Sequence, residues 1–72
     1  MYNKLRMALL NIGFKEIIGS NRFESEVCTV ELDKLTCMIY RITRADGKEV
    51  FTPISIYELE SMMDAWEEGY DI

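Results

Sequence analysis

The stretch TCMIYRITRADGKEVFTP, running from Thr36 to Pro53, decides the fold. Thr36–Thr43 is rich in β-branched and aromatic residues, with Met38, Tyr40 and Ile42 on one side of an extended run. Asp46-Gly47 separates that run from Val50-Phe51. A type I′ turn needs φ > 0 at both of its central residues, and Asp followed by Gly tolerates this. With these two residues as the loop, Ile42 faces Phe51, Thr43 faces Val50 and Arg44 faces Glu49 as an opposite-charge pair. Arg41 then shares a face with Ile39 and Thr43. Pro53 cannot donate to a ladder, so it ends the second strand.

Further elements flank the hairpin. Upstream, Cys28, Val30 and Leu32 alternate with Val27, Thr29 and Glu31, which predicts another strand. Gly19-Ser20-Asn21 marks a turn, and Lys15–Ile18 leads into it as an extended segment. Leu5, Ala8, Leu9 and Ile12 form one apolar stripe of a first helix. Gly13 supplies a left-handed stop there, and Phe14 can fold back on the last turn.

Downstream, Ser55 and Glu58 read as a capping box, flanked by Ile54 and Leu59 at the staple positions. Ile56, Leu59, Met63, Trp66 and Tyr70 repeat at helical spacing, with Met62 at the edge of the seam and Gly69 at its end. The fold predicted is α+β. It is a two-layer domain in which an antiparallel sheet of three to four strands is packed by an N-terminal and a C-terminal helix. Residues 1–72 read as a single small domain.

A chain of 72 residues with 49% hydrophobic and 29% charged residues has the composition of a folded domain. It is close to the size at which one core suffices, and homodimerisation is a natural remedy for so thin a margin. Its charge is segregated. Residues 1–48 hold all eight basic residues and six acidic ones, a balance of +2; residues 49–72 hold seven acidic residues and no basic one, a balance of −7. Such a field attracts cationic partners and repels a nucleic-acid backbone, so direct nucleic-acid binding is not expected.

Catalysis has little support. The chain has no His, the commonest general base and metal ligand. Ser20, Ser25, Ser55 and Ser61 have no evident base, and Glu24 with Glu26 reads as a solvated strand face. Cys28 and Cys37 lack metal-ligand spacing and read as small hydrophobes in a sheet. The glycines show no phosphate-binding pattern. No cofactor, metal or enzymatic activity is expected. The charged start does not resemble a signal peptide, and no apolar run is long enough to span a bilayer. The expected setting is therefore cytoplasmic and without a membrane partner. A bacterial or phage origin is an analogy resting on size and acidity alone.

The acidic helix is the feature that points to function. Glu60, Asp64, Glu67 and Glu68 fan over the side opposite Leu59 and Trp66, with no Lys or Arg at i+4. Glu67, Glu68 and Asp71 lie near the negative end of the helix dipole. Trp66 and Tyr70 fit core packing by their spacing with Met63, and as large amphipathic rings they can alternatively anchor an interface. The partner-binding residues expected are Glu60, Asp64, Trp66, Glu67, Glu68, Tyr70 and Asp71. The function expected is a non-enzymatic protein-interaction domain that binds a basic protein or itself. Two alternatives are an inhibitor that mimics nucleic-acid phosphates, and a structural homo-oligomer whose acidic face is only solvated.

One consequence of the cap can be measured directly. Ser55→Ala should lower the unfolding free energy by about 1 kcal/mol, read from denaturant titration at neutral pH.

Overall fold

The computed structural model describes residues 1–69. Its elements are α1 (Tyr2–Asn11), β1 (Lys15–Ile17), β2 (Arg22–Glu24), β3 (Thr29–Leu32), β4 (Ile39–Ala45), β5 (Lys48–Pro53) and α2 (Ile56–Glu67). The five strands form one antiparallel sheet in chain order, β1-β2-β3-β4-β5. The class is α+β, as the sequence predicts, but with five strands in place of three to four. The strand missing from the prediction is β2: the Ser25 turn separates Arg22–Glu24 from β3, and Lys15–Ile17 pairs with it across the Gly19 turn.

The hairpin follows the register read from Asp46-Gly47. Ile42 lies opposite Phe51, Thr43 opposite Val50 and Arg44 opposite Glu49, with Asp46 at φ 53° and Gly47 at φ 75°. Strand β4 begins later than its composition suggests. Asp33 Oδ1 accepts the N–H groups of Leu35 (2.8 Å) and Thr36 (3.3 Å), and the Asp33 carbonyl accepts from Cys37 at 2.8 Å. This Asx turn takes up Thr36 and forces Cys37 to φ 60°, so the ladder starts only at Ile39.

Neither cysteine therefore lies in a strand, contrary to expectation. Cys28 immediately precedes β3, Cys37 belongs to the turn, and both thiols are free. The Glu24/Glu26 strand face is also corrected. Strand β2 stops at Glu24, because Ser25 Oγ accepts from the N–H groups of Val27 and Cys28 and closes a tight turn.

Period-two alternation sorts the sheet into two faces. Phe23, Val30, Leu32 and Ile39 fall on one face and are buried, together with Leu9 and Phe14 from the α1 end and Leu59 and Met63 from α2. Burying a side chain of this size contributes about 1.5–3 kcal/mol, so this cluster outweighs every cap and turn. The opposite face carries Arg22, Glu31, Tyr40, Ile42 and Phe51, and it curls inward.

Arg22 on β2 reaches Glu49 on β5 through two bonds of 2.8 and 2.9 Å while also contacting Glu31 at 3.1 Å. In a flat sheet those backbones would be separated by three strand spacings, about 14 Å, and by four residues along the strand, about 13 Å. Twist and coiling bring the hairpin tip diagonally over the open face. The Arg22 guanidinium also sits 5.8 Å from the centre of the Phe51 ring. Arg44 is a looser partner for Glu49, at 3.9 Å.

Helix ends behave as their residues dictate. Ser55 Oγ accepts from the Glu58 N–H at 3.1 Å, one half of the predicted capping box. The reciprocal half differs: the Ser55 hydroxyl donates to Glu58 Oε1 at 3.2 Å. At the end of α1, Gly13 has φ 114°, and Phe14 donates back to the Leu9 carbonyl at 3.0 Å. No helix among the described residues is long and apolar enough to cross a membrane.

A Cβ at position 13 would meet Met63 Cε at 2.9 Å, in a backbone region that side chains avoid. Gly13→Ala should cost about 1–2 kcal/mol from backbone strain alone. For a domain this small, that corresponds to a fall in Tm of roughly 4–8 °C per kcal/mol, measurable by thermal circular dichroism.

Candidate protein-docking surface

Helix α2 is anchored by Leu59 and Met63, which are buried, and by Ile56, which is half-buried. These three positions fix its rotation about its own axis. Glu60, Asp64, Glu67 and Glu68 are consequently turned outward, and all four are exposed. Tyr57, in the first turn, is 78% exposed.

The apolar seam stops at Met63. Trp66, whose spacing favours the core, is instead 48% exposed. The hydrophobic face of the sheet gives out at this point, because Arg41 occupies the core-side position opposite Val30. Trp66, Met62, Arg41, Val27 and Glu26 line a hollow of about 270 Å³. Among the described residues, Arg41 Nε is buried without a hydrogen-bond partner. Tyr70 and Asp71, also expected at this surface, lie outside the described residues.

The fold thus brings Glu26, from the β2–β3 turn, beside the C-terminal half of α2. Nothing in the sequence signals this neighbour, since residues 26 and 66 line one hollow only because the β2–β3 turn and β4 set Val27 and Arg41 beside the helix. Exposed carboxylates thereby flank a half-exposed indole.

Charge pairing separates this surface from the rest of the molecule. Arg6 holds Glu16 at 2.8 Å, and Arg22 holds both Glu31 and Glu49. Among the described residues, none of the four outward carboxylates of α2 has a basic partner within 4.0 Å. The last turn of the helix contains no basic residue to offset the dipole.

Titration follows the pairing. Hydrogen bonds from Arg22 hold the Glu49 carboxyl below the usual carboxylate range, and those from Arg6 do the same for Glu16. The Arg22 guanidinium is held more firmly protonated by Glu49 and Glu31. Burial pushes the Cys28 thiol up, with Arg41 opposing, so a reactive thiolate is disfavoured.

Elsewhere the polar groups have structural work. Ser20 Oγ donates to the Ile17 carbonyl at 2.9 Å and accepts the Arg22 N–H at 3.1 Å, closing the β1–β2 turn. Ser25 closes the next turn and Ser55 caps α2. No group of three or more possible metal ligands occurs among the described residues. No protein-family model, curated protein or solved structure matches the chain.

The Arg22 cluster makes acid stability predictable in sign. Because the folded pKa of Glu49 lies below its unfolded value, its contribution is complete above the ordinary carboxylate pKa of about 4.3. That contribution disappears as pH falls through the folded value. Arg22→Met should therefore be less stable than wild type at neutral pH, with the gap closing below about pH 4, in urea titrations at several pH values.

Proposed function

We propose that this chain is a non-enzymatic protein-interaction domain that docks a basic protein through the acidic outer face of α2. One observation carries the reading: Glu60, Asp64, Glu67 and Glu68 are exposed without a cationic partner among the described residues, whereas Arg6 and Arg22 are engaged by other carboxylates. A field of this kind steers a cationic partner toward the surface and raises its association rate. Trp66 and Met62 then supply apolar contact at the hollow, where an aromatic and an adaptable thioether suit an anchoring role. Arg41 beneath them accounts for local specificity, since its guanidinium can donate to a carboxylate or carbonyl oxygen of an otherwise basic partner.

A narrower form of the same reading is a nucleic-acid-mimicking inhibitor. The carboxylates from Glu60 to Glu68 succeed one another over about 12 Å of helix axis, so they present a row of charge rather than an isolated site. A basic groove that tracks a phosphate backbone would accept such a row.

The test is capture of partners from a cell lysate by wild type and by the Glu60/Asp64/Glu67/Glu68→Lys variant, followed by affinity measurement on the protein identified. Reversal should weaken binding at least tenfold, and wild-type affinity should fall steeply between low and moderate salt. Competition by duplex DNA for the same partner would select the mimic form. An identical catch from both proteins, insensitive to salt, would reduce the acidic face to a solvated surface.

A further inference from the structure

Strand β5 ends the sheet, and all six of its residues are exposed. Its hydrogen-bonding phase is set by the register. The Ile54 N–H bonds to the Ile39 carbonyl at 3.0 Å, so the residues in step with Ile54 (Thr52, Val50 and Lys48) direct their backbone groups inward to β4. The intervening residues, Glu49, Phe51 and Pro53, direct theirs outward. The free edge therefore offers the N–H and C=O groups of Glu49 and Phe51, and the C=O of Pro53.

We infer that two copies of this chain associate by antiparallel pairing of β5 with β5, on a two-fold axis through Val50. In that register Glu49 of each copy lies opposite Phe51 of the other. All four outward N–H groups and their four carbonyl partners are then satisfied. Centring on Phe51 instead would also make four bonds, but it would place Glu49 opposite Pro53, whose ring stands where the N–H would point and meets the partner's Glu49 carbonyl. Centring on Thr52 would retain only two bonds. The Val50 register also sets Pro53 beyond the last bond, so the one residue that protects the edge does not obstruct it.

Charge selects the same edge for a second copy. Residues 39–53 hold three basic and two acidic residues, a net +1, whereas the rest of the chain carries −6. Two copies of an acidic protein meet with least repulsion here. Glu49, the acid nearest the axis, is already neutralised by Arg22 and Arg44. Val50 and Phe51, each 43% exposed, bury apolar surface on opposite faces of the joined sheet. The two-fold stands perpendicular to the sheet, so both pairs of helices fall on one side and both acidic faces remain available. An edge of this length makes a small interface, and the association is correspondingly weak and concentration-dependent.

Cross-linking tests both the partner and the register. At a non-hydrogen-bonded antiparallel position the two Val50 Cα atoms stand about 4.5 Å apart, within disulfide range. The two Phe51 positions are diagonal, about 7–8 Å apart, which is too far. In a Cys28→Ser/Cys37→Ser background with native circular dichroism, Val50→Cys should oxidise to a covalent dimer at micromolar concentration, and Phe51→Cys should not. In the otherwise unaltered chain, Val50→Lys should shift sedimentation equilibrium from dimer toward monomer without loss of secondary structure. Charge reversal on α2 should leave the dimer intact. A wild-type chain that stays monomeric to millimolar concentration, or Phe51→Cys cross-linking as readily as Val50→Cys, would overturn the proposal.

Discussion

Phe23, Val30, Leu32 and Ile39 form an apolar band across three strands, and the two helices are arranged to cover it. Leu9 and Phe14 close one side, Leu59 and Met63 the other. Ten- and twelve-residue helices are marginal alone in water, so α1 and α2 owe their persistence to this contact more than to propensity. The band also dictates what remains outside. Once Leu59 and Met63 are seated, the rotation of α2 is determined and its carboxylates must face solvent.

The two faces of the sheet solve different problems. The helix face is apolar and needs only shape. The open face is polar and is held in its curl by a single guanidinium that reaches from β2 to β5 and engages two carboxylates. That clamp takes up Glu31 and Glu49 on the sheet side of the molecule. Uncompensated negative charge is thus left concentrated on α2 and the neighbouring β2–β3 turn. The segregation evident along the chain becomes a segregation in space.

Local signals in this chain were reliable where one physical cause acted alone. Asp46-Gly47 defined its hairpin because positive φ at two successive residues admits few alternatives, and the cross-strand pairs followed. Ser55 capped α2 and Gly13 ended α1 for equally local reasons. Sequence and structure differ where two causes compete. Composition favoured a strand from Thr36, but the Asp33 carboxylate captured the backbone of that segment first. That the short strand β1 joins the sheet is not legible locally, since its three residues hydrogen-bond a partner that no local pattern names. Trp66 kept the helical period of the core, yet it lies past the edge of the apolar band and is half-exposed.

By itself the sequence determined the element types, the hairpin register, the outward carboxylates of α2 and the sign of the charge field. Each of these depends on residues within a few positions of one another, where sterics, capping and periodicity act directly. Only the tertiary structure decided that five strands join, that Arg22 meets Glu49, that Glu26 stands beside Trp66 and that β5 is left as a free edge. Those facts depend on how the sheet coils and on which strand comes last, properties of the whole chain that no short window of sequence contains.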